Sequence, residues 1–233
     1  MFFFQRQGTP THPACVHEYQ TASRPDKRTP WRSVPYSVVD IETGGLNHRR
    51  DCVLAIGLIE IEHGRIRMDR RWYTMVRPPN AYEVGADSIR IHKLLREELS
   101  QAPPAQDVLL EFLRRVKGRV LVVHVSAVDV QFLNRALKHF FGVKLRGPVI
   151  DTARLAGMLS HHDKMMNGYN EEPHRDITLR ALAEQSNVPV HAQHNALSDA
   201  LTTAQLFLAQ GTKLQKQGDG TFGRLARIGA SVR

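Results

Sequence analysis

Short runs of apolar residues dominate the first part of the chain, and apolar residues at helical spacing dominate the rest. Tyr36-Ser37-Val38-Val39-Asp40-Ile41-Glu42 is a β-type run stopped by Gly44-Gly45. Cys52 to Glu62 reads as a second strand and Arg65 to Val76 as a third, and the His63-Gly64 turn between them predicts an antiparallel hairpin. Pro78-Pro79-Asn80 ends it, and residues 81–105 read as a connector with a short helix near Ile91–Glu98. Val108, Leu109, Phe112, Leu113 and Val116 recur at helical spacing within Gln106–Lys117, which Gly118 stops. A buried strand at Val120–Val123, a helix over Ala127–Phe141 and a short strand ending at Val149-Ile150 follow. Asp151 is placed to cap a helix through Leu159. Residues 160–176 read as a polar loop, Thr178–Gln185 as a short helix and Ala196–Ala209 as a longer one ended by Gly211. A hairpin followed by β–α alternation predicts an α/β fold: a mixed β-sheet with an N-terminal antiparallel hairpin and flanking helices.

The length of 233 residues suits one domain with extensions. The division expected is a basic N-terminal extension over 1–35, a body over 36–209 and a basic C-terminal tail over 210–233. Charge follows that division. Residues 1–36 hold five bases and two acids, residues 210–233 five bases and one acid, and the middle 22 bases and 20 acids. Most of the +9 net charge is therefore terminal, on segments that read as weakly structured, and it favours a polyanionic partner, nucleic acid first. Cys15 and Cys52 can build neither a disulfide framework nor a four-thiolate zinc site, so a reducing, cytoplasmic setting is expected. MFFF is too short for a signal-peptide core, and no run of about 18 apolar residues predicts a membrane span.

Three places could carry chemistry. Asp40 and Glu42 share one face of their strand, because side chains alternate with period two, while Val39 and Ile41 take the other. Two adjacent carboxylates at the end of an apolar strand are costly to desolvate, and oxygen ligands of this kind suit Mg²⁺ or Mn²⁺. Glycines just beyond let a ligand approach the backbone. Asp129 follows the buried strand and falls in a first helical turn, at the end of an α/β sheet where ligand crevices form. Finally, His194 and Asp199 flank the start of a helix whose stripe is Leu197, Leu201, Ala204 and Leu208, with Asn195 as its cap. His191 is a rival to His194, His161 and His162 fall in the polar loop, and His124 reads as a hydrogen-bonding residue at a strand end.

Taken in order, these clusters resemble the DEDDh, or DnaQ-like, 3′–5′ exonucleases, which have a ribonuclease H-like fold. The motifs stand as VVDIETGGL from Val38, LVVHVSAVDVQFL from Leu121 and HNALSDALTTAQLFL from His194, with smaller echoes in SIRIHKLL from Ser88 and VIDTARLA from Val149. The resemblance covers roughly residues 36–209. In the second motif Val125, Ser126 and Val128 stand where the family usually has Asn, Ala and an aromatic residue, and Lys93 stands where the connector commonly has Gly. These departures bear on substrate positioning more than on metal binding.

The resemblance implies that Asp40, Glu42, Asp129 and Asp199 hold two divalent cations, Mg²⁺ or Mn²⁺, and that His194 is the general base, with Thr43 and Gly44 in the substrate site. It further implies release of nucleoside 5′-monophosphates from a free 3′ end of nucleic acid, single strands preferred, DNA or RNA. A polymerase partner, with a role as proofreading subunit of a DNA polymerase III-like enzyme, belongs to the same set of expectations. The alternative is a non-catalytic nucleic-acid-binding or scaffold protein on the same fold, which loss of any of the four acids would have favoured.

Overall fold

The computed structural model describes residues 13–80, 84–167 and 176–230, with side chains for all of these except 162–167. In chain order the elements are α1 (Ala14–Thr21), a 3-10 turn (Trp31–Ser33), β1 (Tyr36–Thr43), β2 (Val53–Glu62), β3 (Arg65–Met75), α2 (Ala86–His92), α3 (Arg96–Gln101) and α4 (Ala105–Val116). They continue with β4 (Val120–Val123), α5 (Ser126–Phe141), β5 (Val149–Asp151), α6 (Thr152–Asn167), α7 (Leu179–Gln185), α8 (Ala196–Lys216) and α9 (Phe222–Ile228). The strands form one sheet in the order β3-β2-β1-β4-β5. The β1–β2 and β2–β3 pairs are antiparallel, and β4 and β5 run parallel to β1. This is the mixed sheet and hairpin expected. His63 (φ 50°) and Gly64 (φ 68°) both adopt the left-handed backbone that tight hairpin turns require.

Helices cover both faces of the sheet, which is why β2 is buried almost end to end. Val39, Ile41, Ile56 and Leu58 pack with Phe112 of α4 and with Phe132 and Leu133 of α5. On the opposite face Tyr36, Val38, Ile59 and Ile61 pack with Ala200, Ala204 and Phe207 of α8. Close approach of α8 depends on one glycine. A Cβ on Gly57 would lie 2.1 Å from the Ala196 carbonyl oxygen. Gly57 is the register partner of Asp40, so the same bare position that admits the start of α8 brings it over the end of β1.

Several expectations are corrected. The connector holds two helices, α2 and α3, because Lys93 turns left-handed (φ 61°) and ends the first. Residues 160–167 continue α6 rather than opening a loop, since Leu155, Ala156 and Leu159 anchor the helix on the core. Residues 168–175 of the expected loop lie outside the described residues. Gly211 does not end α8: it is buried, and a Cβ there would meet the Trp31 ring at 2.8 Å. That glycine serves packing, and the helix runs on to Lys216.

The ends are not loosely attached either. Cys15, Val16 and Tyr19 of α1 join the core that contains α4. Trp31 packs edge-on against Phe207 and donates its indole N–H to Gln215 Oε1 at 2.9 Å. Phe222 and Leu225 of α9 are buried. Backbone bonds tie head to tail, Phe222 N–H to the Thr29 carbonyl (2.9 Å) and Gly223 N–H to that of Lys27 (2.8 Å). Beyond α9, the Gly229 carbonyl accepts the Asp151 N–H at the edge of the sheet (2.8 Å). Each end helix contributes only two or three buried apolar residues over about two turns, too short a stripe to stand out as a periodic pattern. Among the described residues, no helix is long and apolar enough to cross a membrane.

Candidate active site

The end of β1 and the starts of α5 and α8 converge. Asp40 and Glu42 project from β1 on the face that α8 covers, and Asp199 sits in the first turn of α8. Their carboxylates can be brought within 4.8 Å of one another. Asp129, in the first turn of α5, is 5% exposed. It acts electrostatically on Asp40 and is acted on by Glu42, and its Oδ2 is buried without a hydrogen-bond partner. All four expected acids therefore gather at one end of the sheet.

The acids disturb one another. Burial first, then Asp129, Asp199 and Glu42, pushes the Asp40 carboxyl well above its ordinary range. Burial and Asp199 raise Glu42 to about 7. Asp129 is raised by burial, then by Asp151 and Glu42. Asp199 is raised less freely: burial pushes it up, while the backbone N–H groups of Asn195 and His194 and the His194 charge hold it down. A set of partly buried oxygen donors, joined by the buried Asp129 whose Oδ2 has no hydrogen-bond partner among the described residues, fits a hard divalent cation.

The histidines separate cleanly. His194 is exposed, adopts a left-handed backbone (φ 58°) before the Asn195 cap, and acts on Asp199. His191 is engaged elsewhere, with Nε2 3.1 Å from Gln205 Oε1. His124 Nε2 lies 2.9 Å from the Ile177 carbonyl, which can only accept, so this nitrogen donates and Nδ1 accepts from Thr152 Oγ1 at 2.8 Å. His124 is thereby a hydrogen-bonding residue of the fold. His161 is an exposed residue of α6, and the side chain of His162 lies outside the described residues.

Two supporting arrangements were not legible in the sequence. Asp151 caps more than its own helix. Its carboxylate accepts the N–H of Ala153 (2.9 Å) and also those of Val125 (3.1 Å) and Ser126 (2.9 Å), fastening the turn that presents Asp129. That turn holds Val125 at φ 54°, ψ 64°, a left-handed conformation that asparagine tolerates and a β-branched residue resists. The second arrangement braces Thr43 and Gly44. Ser88 Oγ donates to the Thr43 carbonyl (2.7 Å), His92 Nε2 donates to Ser88 Oγ (3.0 Å), and His92 Nδ1 accepts the Leu94 N–H (3.0 Å). Gly44 N–H meets the Cys52 carbonyl at 2.9 Å. The SIRIHKLL segment is thus a prop under the end of β1.

Residues 37–207 match the family described as Exonuclease (RNase_T). The chain belongs to this exonuclease family. Members of the family depend on divalent metal, in keeping with the acidic cluster. The chain is 30% identical over 188 residues to "DNA polymerase III PolC-type" of Thermotoga petrophila, covering 81% of this chain and 13% of that relative's length. It is 30% identical over 174 residues to "DNA polymerase III subunit epsilon" of Treponema pallidum, covering 75% of each. Escherichia coli exonuclease I, solved with a dT13 oligonucleotide, superposes with a TM-score of 0.65 at 14% identity, over 80% of this chain and 43% of its own. That likeness establishes the ribonuclease H-like exonuclease fold, with its mixed five-stranded sheet flanked by helices.

Proposed function

We propose that the protein is a divalent-metal-dependent 3′–5′ exonuclease that releases nucleoside 5′-monophosphates from single-stranded DNA or RNA ends. The observation that carries this reading is the convergence of Asp40, Glu42 and Asp199 with the orphaned oxygen of Asp129, beside His194. In this reading the four acids hold two cations, Mg²⁺ or Mn²⁺. Bound there, such cations supply charge stabilisation for the attacking and leaving oxygens of a phosphodiester. His194, exposed at the rim beside Asp199, takes the proton of the attacking water. Thr43 and Gly44, held by Ser88 and Cys52, offer a fixed edge to the terminal nucleotide. Residues 36–209 form the exonuclease domain, and the packed segments on either side brace it.

The relative named subunit epsilon supports a proofreading role beside a polymerase III-like partner in the cytoplasm. A non-catalytic binding role would leave four acids crowded together at an electrostatic cost with no return. The experiment is incubation with end-labelled single- and double-stranded DNA and RNA, in Mn²⁺, in Mg²⁺ and in chelator. Mononucleotide release from 3′ ends that stops in chelator is expected. Turnover in chelator, or binding without release in either metal, would sink the reading.

A further inference from the structure

The pocket poses an electrostatic problem that its own residues do not solve. Among the described residues, the charged groups that act on Asp40, Glu42 and Asp129 are all acids, and His194 acts on Asp199 in the opposite sense. A polyanionic strand entering here needs positive charge next to the pocket as well as within it. The loop that leaves Gly44-Gly45 carries His48, Arg49 and Arg50, and both arginines are exposed.

This loop is built rather than slack. The Asn47 carbonyl accepts the N–H groups of Arg50 (2.9 Å) and Asp51 (2.8 Å). Asn47 N–H reaches Asp51 Oδ2 at 2.9 Å, and Arg49 N–H reaches Asn47 Oδ1 at 3.0 Å. A Cβ on Gly45 would lie 2.3 Å from Asp51 Oδ2, so a larger residue there would push the Asp51 carboxylate off the Asn47 N–H. From outside, Arg135 of α5 donates to the His48 (2.6 Å) and Asp51 (2.8 Å) carbonyls. The His48 ring stands edge-on to Phe132 at 6.4 Å. The helix that presents Asp129 in its first turn therefore grips this loop further along. The Arg50 side chain stays 78% exposed while Asp51 touches its Nε at 3.3 Å, which leaves most of its guanidinium outward.

We propose that the Asn47–Arg50 loop, locked by Arg135, is a phosphate-binding subsite for the strand on the 5′ side of the departing nucleotide, with Arg49 and Arg50 as its cationic contacts. The inference rests on the exonuclease reading. Ordering the loop in advance removes the entropy loss that a flexible basic loop would suffer on binding. It also fixes the register between upstream phosphates and the acids, because the loop and Asp129 share α5.

The test compares the wild type with an Arg49→Ala/Arg50→Ala variant on two substrates. One is a single-stranded oligonucleotide. The other is the p-nitrophenyl ester of thymidine 5′-monophosphate, which has no upstream phosphate. The ratio of kcat/KM on oligonucleotide to that on ester is expected to fall about tenfold, through KM, and the Arg49→Lys/Arg50→Lys variant to restore most of it. The slope of log affinity against log salt should become shallower by about 0.7 for each contact removed. Arg135→Met should lower the same ratio while leaving Arg49 and Arg50 in place. An unchanged ratio and an unchanged slope in the double Ala variant would overturn the subsite. A wild type that hydrolyses neither substrate in Mn²⁺ or Mg²⁺ would instead overturn the exonuclease reading, so the two failures are distinct.

Discussion

Glu42 and Glu62 lie on neighbouring antiparallel strands, near opposite ends of the β1–β2 pair, and meet opposite surroundings. Glu62 is gripped by Arg119, Arg67 (3.0 Å) and Arg70 (2.7 Å), and Arg119 also reaches Glu60 at 2.7 Å. Those arginines, Arg119 foremost, hold the Glu62 carboxyl below the usual carboxylate range. Glu42 is raised to about 7 by burial and by Asp199. The sheet can therefore satisfy acids with guanidinium groups, and at its far end it does. At the end that carries Asp40 and Glu42 it sets acid against acid, a strain that a cation relieves and an arginine would have removed for good.

The largest effect should come from removing one of the unpartnered acids. Asp40→Asn is expected to lower turnover by at least about 10³-fold on the scale of lost electrostatic catalysis, while raising the melting temperature of the metal-free protein. A lower melting temperature in chelator would contradict the claim that Asp40 is held there against repulsion. Next come the histidines. His194→Ala should slow turnover by about 10²–10⁴-fold, the range for a positioned general base, with a much smaller loss for His191→Ala. Steady-state kinetics that reverse this order would move the base to His191.

The arginine-satisfied end should respond in the opposite sense. Arg119, 13% exposed at its side chain, leaves Glu60 and Glu62 short of a partner when replaced. Because Arg70 and Arg67 still reach these acids, Arg119→Ala is expected to destabilise by about 1–2 kcal/mol, read by urea titration, with turnover per folded molecule intact. pH separates the two ends further. The folded Glu42 carboxyl titrates near 7 against an ordinary 4.5, so its favourable contribution is complete below pH 4.5 and lost as pH rises through 7. Denaturant midpoints in chelator should therefore fall between pH 5 and pH 8, and Mn²⁺ should cancel the fall. A flat profile in chelator would mean the acids are already satisfied. The smallest effect concerns backbone strain: Val125→Asn should stabilise by about 1 kcal/mol through relief of a left-handed β-branched residue, seen as a higher melting temperature.

What the sequence displayed were features with a local period or a local motif. The alternation in β1 put Asp40 and Glu42 on one face, the His63-Gly64 turn made the hairpin, and Gly118, at φ 72°, ends α4 as expected. What it hid depends on partners distant along the chain. Gly211 looked like a stop signal because its neighbour Trp31 is far away in sequence. Asp151 looked like the cap of one helix because its parallel register with Val123, which carries it to the Val125 turn, has no local mark. The tail looked weakly structured because Phe222 and Leu225 are too few to form a long stripe, yet removing residues 211–233 would strip Leu214, Phe222 and Leu225 from the core.

The bond from the Gly229 carbonyl to the Asp151 N–H bears on how this protein is made. During synthesis all four acids and His194 have been joined to the chain well before Gly229 is. The strand that fastens the Asp129 turn still lacks its outer support at that stage, and the head lacks the tail residues it pairs with. A nascent chain that has reached Asp199 thus already carries the four acids and His194, while the bond that braces the strand behind the Asp129 turn awaits the synthesis of Gly229.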